Sequence, residues 1–295
     1  MLRKGKVIPM EILVVGGSRF FGIHLVKQLL KDGHKVTIAS RGRAKDDFGS
    51  KVERMILERT DADSIRMALA NKHFDVVYDE IAYCSNDIKY ILDVIHCDKY
   101  IYMSSMSVYE SLHKNLVEED FNPMKSELIW CDRATFDYGT SKRQAECAIW
   151  QAYPEQKAIA VRYPYVIGKD DYTKRLLFYV EHTKKEIPMN INNLNYQMSF
   201  IRSDEAGMFL AFLADREFTG PINGSSDGTI SLREILDYIE KKTGKHAIIS
   251  EEGEEAPYNW APEYSINTDK AKALGFQFSE IKNWIFELID ELCIS

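Results

Sequence analysis

Ile12-Leu13-Val14-Val15 runs without a polar break into Gly16-Gly17, and this junction restricts the chain to few folds. Four consecutive apolar residues suit a strand covered on both faces. Beyond the glycines, Phe21, Leu25, Val26, Leu29 and Leu30 recur at helical spacing as far as Asp32-Gly33. The order is buried strand, tight turn, helix, stop. Glycines at such a turn let backbone N–H groups approach a diphosphate, and the helix start adds orphan donors and partial positive charge. The segment Gly16-Gly17-Ser18-Arg19-Phe20-Phe21-Gly22 therefore reads as a dinucleotide-binding turn. A plain strand-to-helix turn would use the same glycines. The usual fingerprint has three of them, and here Gly16-x-x-Arg19-x-x-Gly22 puts a cation in the middle place.

The following segments repeat the alternation. Lys35–Ser40 is a second strand, Val52–Leu57 a third, Phe74–Tyr78 a fourth and Tyr100–Ser104 a fifth, with helices expected near Ser64–Ala70 and Ile88–Ile95. Asp63 is the expected N-cap of the first of these helices. Alternating strands and helices make a doubly wound α/β fold, a parallel sheet that takes its ligands at the carboxyl ends of the strands. Where an NAD-specific site would place a carboxylate after the second strand, Ser40-Arg41-Gly42-Arg43 offers a hydroxyl and two guanidiniums. Those groups suit a 2′-phosphate, a slight lean toward NADP, although a solvated basic loop has the same composition.

Tyr138 and Lys142 stand four apart at the start of a helix marked by Ala145, Ala148, Ile149 and Ala152, which places both side chains on one face. A lysine cation beside a phenol favours the phenolate, and a serine at the end of the fifth strand could hold a substrate oxygen. With 16 tyrosines in the chain such a pair is common by chance. Its place after Ser104-Ser105 gives it weight.

Taken together, Gly16–Gly22, Ser104-Ser105-Met106-Ser107-Val108-Tyr109, Tyr138-Gly139-Thr140-Ser141-Lys142 and Val161-Arg162-Tyr163-Pro164-Tyr165-Val166-Ile167-Gly168 resemble the extended short-chain dehydrogenase/reductase family, which includes NAD(P)-dependent sugar-nucleotide epimerases. The likeness continues through Met198–Asp204, Pro221–Gly224, Ile230–Ile235 and Asp269–Phe276. It implies a Rossmann-type sheet over residues 1–166, with a return segment near 195–225, and a smaller interleaved α/β substrate domain over 167–295. By this resemblance Ser105, Tyr138 and Lys142 form the catalytic trio and Lys142 also holds the nicotinamide ribose. Arg41 meets the adenosine ribose, Glu58 and Arg59 the adenine, Ile81 and Ala82 lie under the cofactor, and Tyr165 stands beside the nicotinamide.

Departures from the family pattern narrow the chemistry. Arg19 resembles an atypical branch that includes bacterial epimerase-like proteins and the chloroplast stem-loop RNA-binding proteins. Met106-Ser107 replaces the Asp-Glu pair of the dehydratases, which argues against dehydration. Gln197 stands near one place where an epimerase puts a phosphate-binding arginine, and no arginine follows Arg233, while Glu251, Glu252, Glu254 and Glu255 make that region acidic. Asp171 or Thr173 is expected to cap the helix after Gly168. The aromatic residues Tyr163, Tyr165, Tyr172, Phe178 and Tyr179 read as core, with an apolar substrate pocket as the alternative.

Composition narrows the partners. A net charge of −7 gives no general attraction for nucleic acid, so the expected partner is a small molecule and RNA association is the lesser reading. Five unpaired-looking cysteines, seven scattered histidines and the lack of a long apolar run argue against a disulfide framework, a metal site and a membrane span. A cytoplasmic protein, compatible with a homodimer, is expected, with residues 1–9 an extension ahead of the first strand.

Overall fold

A computed structural model describes residues 8–294; most of the expected leading extension, residues 1–7, lies outside them. The chain divides into two compact units. The first comprises residues up to Glu110, Glu118–Tyr163 and Asp204–Asn223; the second comprises Ser111–Val117, Pro164–Ser203 and Gly224 onward. The return segment is thus shorter than the one drawn from the sequence, and residues 111–117 join the second unit.

In chain order the elements are β1 (Glu11–Val15), α1 (Phe21–Lys31), β2 (Lys35–Ser40), β3 (Glu53–Ile56), α2 (Ala62–Leu69), β4 (His73–Asp79), α3 (Ser85–Leu92) and β5 (His96–Met103). There follow α4 (Tyr138–Ala152), β6 (Ala158–Arg162), β7 (Tyr165–Ile167), α5 (Arg175–Lys185), β8 (Met189–Asn190), β9 (Phe200–Arg202) and α6 (Ser203–Phe212). The last are β10 (Gly220–Asn223), α7 (Leu232–Thr243), β11 (Glu254–Glu255), α8 (Asp269–Ala273) and α9 (Ile281–Ile294).

Seven strands of the first unit form one parallel sheet in the order β10-β6-β5-β4-β1-β2-β3. The sheet is the expected doubly wound, Rossmann-type one. Its strand order reverses between β1 and β4, so the turns after these two strands flank the crevice where such sheets take ligands. The register sets Ile12 against Val76 and Val15 against Asp79. Ile12 through Val15 are fully buried, as expected of a central strand covered by helices.

Several local expectations are corrected. Asp61, not Asp63, caps α2 by accepting the N–H groups of Asp63 and Ser64 at 2.9 and 3.1 Å. The helix begins earlier than its apolar pattern suggests, and Asp63 pairs with Arg66 in the first turn instead. β5 begins at His96 rather than Tyr100, because its polar first half still pairs with β4. Helix α5 has Lys174 at its N-cap, in the left-handed region and without a side-chain cap. Asp171 turns back on the N–H and hydroxyl of Thr173, a local ring that competes with capping.

The glycine in α6 has a packing reason. A Cβ on Gly207 would lie 2.5 Å from His24 Cβ and 2.6 Å from the Leu25 nitrogen, so α6 and α1 approach to backbone contact. In the second unit, Ser231 and Glu234 form a complete capping box at the start of α7. No helix among the described residues is long and apolar enough to cross a membrane.

The core of the first unit also buries an ion pair. Arg162, fully buried, reaches Glu146 with two nitrogens at 2.9 and 2.6 Å and donates to the carbonyls of Glu118 and Phe121. Its guanidinium lies between the rings of Tyr109 and Phe121, 5.1 and 5.3 Å from their centroids. Ser104 donates to the same Glu146 carboxylate. Burial acts to lower the Arg162 pKa, but the Glu146 charge outweighs it and the guanidinium is held above its usual value.

Candidate active site

The turn after β1 takes the backbone form its glycines permit. Gly16 and Gly17 have φ of +121° and +72°, a region that side-chain-bearing residues rarely enter. Phe20, immediately before α1, has φ 53° and ψ −137°, strained for a residue with a side chain. Such strain persists only where the surroundings impose it, and the loop bends so that α1 opens directly above the sheet. Arg19 lies exposed on its outside.

Glu80, the residue after β4, projects beneath this loop. Its Oε2 accepts the Gly17 N–H at 2.7 Å. A Cβ on Gly22 would stand 2.3 Å from that oxygen, and one on Gly16 2.8 Å. The glycines thus leave the space that this carboxyl fills. Sequence reasoning passed over Glu80; the signal was an acidic pair, Asp79-Glu80, directly after the apolar run Val76-Val77-Tyr78.

Asp79 fixes the turn that follows. Fully buried, it accepts from the Arg59 guanidinium at 2.6 Å, the Tyr100 hydroxyl at 2.8 Å and the Ala82 N–H at 3.0 Å. Ile81 and Ala82 are therefore held at the carboxyl end of β4, under the crevice. Arg59 is drawn inward to this carboxylate, and its Nη2 also reaches the Asp87 carbonyl. Desolvation works against its charge, but Asp79 and then Tyr100 and Asp87 raise its pKa above the ordinary value. Of the two residues assigned to the adenine, Glu58 is half-buried beside Thr60, while the Arg59 side chain serves the turn. Arg41 is exposed just past β2, where Ser40 accepts the Gly42 N–H.

The Ser-Tyr-Lys residues come from one end of the sheet. Asp137 caps α4 through the Thr140 N–H, so Tyr138 and Lys142 occupy its first and second turns. Lys142 is buried, donates to the carbonyls of Ala82 at 2.7 Å and Met103 at 2.6 Å, and has its Nζ 5.7 Å from the Tyr138 ring centroid. The Tyr83 and Tyr102 rings complete an aromatic surround at 5.1 and 4.8 Å. Tyr138 is 46% exposed and meets Tyr83 edge-on. The Ser105 turn packs against the start of α4: a Cβ on Gly139 would fall 2.6 Å from the Ser107 carbonyl oxygen. Ser105 accepts the Ser107 N–H and donates to its hydroxyl, both at 3.2 Å. Arg133, also overlooked in the sequence, lies over the Tyr83 ring and reaches the Ile81 carbonyl and Asp87.

Burial lowers the Lys142 pKa to about 7, with Asp79 and Asp87 opposing the shift. Folded protein sheds this proton as pH rises through about 7, whereas an unfolded lysine keeps it to about 10.4. In that window the unfolded state binds more protons, so stability gains with pH. Relative to Lys142→Met, wild type is expected to gain about 1 kcal/mol per pH unit between pH 7 and 9. Urea unfolding of both proteins at three pH values would show it; a constant difference would remove the lysine from the account.

In the second unit Tyr165 does not stand alone. Its ring packs on Tyr258 and Phe200 at 4.7 and 6.0 Å, and the Arg175 guanidinium lies 5.4 Å from it and 5.7 Å from Tyr258. The aromatic set read from sequence divides: Tyr163 is buried in the first unit, Tyr179 in the second, and Tyr172 is exposed. Gln197 bridges Glu234 and Thr229 in a structural role. Among the described residues no group of three potential ligands gathers for a metal.

The model of the NAD dependent epimerase/dehydratase family matches residues 12–223, from β1 to the end of β10. The chain belongs to that family. Solved structures share the fold: an epimerase of Methanothermobacter thermautotrophicus superposes with a TM-score of 0.74 at 15% identity, covering 97% of this chain and 91% of that one. The UDP-glucose 4-epimerase of Thermus thermophilus, solved with NAD, gives 0.67 at 16% identity, over 95% and 98% of the two chains. A curated relative, the chloroplast stem-loop binding protein of 41 kDa b from Arabidopsis thaliana, is 36% identical over 113 residues, 34% of this chain. The matched stretch spans 30% of that relative's length. The family is one of NAD-dependent epimerases and dehydratases.

Proposed function

We propose that the chain oxidises or reduces a carbinol or carbonyl carbon of a small, sugar-like substrate, as an epimerase or a reductase, through Ser105, Tyr138 and Lys142. The observation that carries this reading is the juxtaposition of the half-exposed Tyr138 with the buried Lys142 ammonium, beside the Ser105 turn. The glycine loop, which tolerates no Cβ at Gly22, and the crevice at the strand-order reversal suit a dinucleotide. NAD(P) supplies hydride exchange when bound. The chain's own residues do the rest. Tyr138 exchanges a proton with the substrate oxygen through its phenol, Lys142 favours the phenolate while charged, and Ser105 orients the same oxygen. The Ala82 and Met103 carbonyls hold the ammonium in place, and Asp79, through Ala82, holds one of them. Solved relatives under UDP-glucose epimerase names favour a sugar nucleotide as the first substrate to try.

Arg41 is the residue we assign to cofactor choice. Arg41→Ala is expected to weaken NADPH about tenfold, the order of 1.5 kcal/mol for a charged hydrogen bond, and to leave NADH within about twofold. Fluorescence titration with both nucleotides decides it: equal losses would return Arg41 to solvent.

The stem-loop name of the plant relative favours a second reading, a nucleic-acid-associated protein. The net charge of −7 opposes it. An RNA mobility shift at moderate salt, run beside the NADH titration, separates the two.

A further inference from the structure

The carboxyl beneath the glycine loop is an unusual occupant for a site meant to receive phosphates. Glu80 Oε2 is engaged by the Gly17 N–H, but Oε1 is buried with no hydrogen-bond partner, while the residue as a whole is partly exposed. An ionised carboxylate with one bare buried oxygen costs far more than a protonated one. Gly16 and Gly22 leave it just the space it fills, so it has little room to withdraw while the loop keeps this form. We propose that Glu80 is a proton-operated gate on the diphosphate: neutral, it lies under the loop and admits the ligand, and ionised, it sets its charge against the phosphates. The proton comes from solvent. This deepens the dinucleotide reading and rests on it.

Burial raises the Glu80 pKa to about 8, against the lowering effect of the Gly17 N–H, and the neighbouring Asp79 charge adds to the rise. Other charged and titratable groups stand near it. Asp79 is paired with Arg59 and Tyr100. Tyr78 and Tyr163 donate to the carbonyls of Leu210 and Ala206, and burial keeps both hydroxyls protonated well past the usual range. Arg19 and His24 are the charged or titratable residues of the loop and first turn of α1. Lys142 also titrates near neutrality. It is common to wild type and to Glu80 variants, so their difference isolates the carboxyl.

The test is NADH binding by fluorescence from about pH 6.5 to 9, for wild type, Glu80→Gln and Glu80→Leu. If only the protonated form binds and half is protonated near pH 8, wild type weakens about tenfold from pH 7 to 9. Both variants are expected to lose this fall and to bind more tightly than wild type at pH 9. Calorimetry of wild type in two buffers of different ionisation enthalpy gives a reading independent of variant folding: uptake near one proton per NADH at pH 9, and little at pH 7. Profiles that run parallel, or no proton uptake at pH 9, overturn the gate while leaving the cofactor reading intact. NADH that binds neither wild type nor variants at any pH overturns both.

Discussion

Tyr138→Phe is expected to lower turnover by about 10²–10⁴-fold, the range that a positioned acid–base group contributes. The phenylalanine keeps the ring that meets Tyr83 edge-on and faces Lys142, so the pocket wall survives and only the exchangeable proton is lost. NADH affinity should stay within about twofold. The measurement is reduction of bound NAD by UDP-glucose in a single turnover, read from reduced-nicotinamide absorbance and extended to other sugar nucleotides and free sugars. A variant that turns over like wild type on any substrate the wild type accepts would end the assignment. Loss of turnover together with NADH binding would place the hydroxyl in cofactor binding rather than in proton exchange.

Glu146→Ala is expected to cost about 3–5 kcal/mol of stability, the range for removing one partner of a buried ion pair. The side chain removed is the carboxylate that pairs with Arg162, whose guanidinium is wholly buried among β6, α4 and the Tyr109 and Phe121 rings. The penalty is that of a stranded charge more than of a lost bond. Combining Glu146→Leu with Arg162→Met should therefore recover most of the loss, because no uncompensated charge remains. Urea midpoints followed by far-ultraviolet circular dichroism provide the comparison. A single variant within about 1 kcal/mol of wild type would mean that water reaches Arg162.

The same two groups illustrate how far the chain can be read from its sequence. Arg162 lies in a motif visible in the sequence, but nothing marks Glu146 as its partner: the carboxylate sits in an alanine-rich helix whose pattern explains the helix equally well with any polar residue. Lys142 shows the reverse case. Helical spacing from Tyr138 puts the two side chains on one face, yet that Lys142 spends its proton donors on Ala82 and Met103 follows from β4 and β5 lying side by side. Arg59 shows the same limit: an arginine at a strand's carboxyl end looks like a ligand contact, and a buried Asp79 twenty residues later draws its side chain inward.

Local pattern by itself determined the sheet, its alternation with helices, the glycine turn and the start of α4, because each depends on side-chain periodicity or on backbone freedom within a few residues. Tertiary structure decided which charges meet: Arg162 with Glu146, Arg59 with Asp79, and Glu80 with the Gly17 amide. Electrostatic partnership depends on distance and burial in three dimensions, and neither is encoded in spacing along the chain.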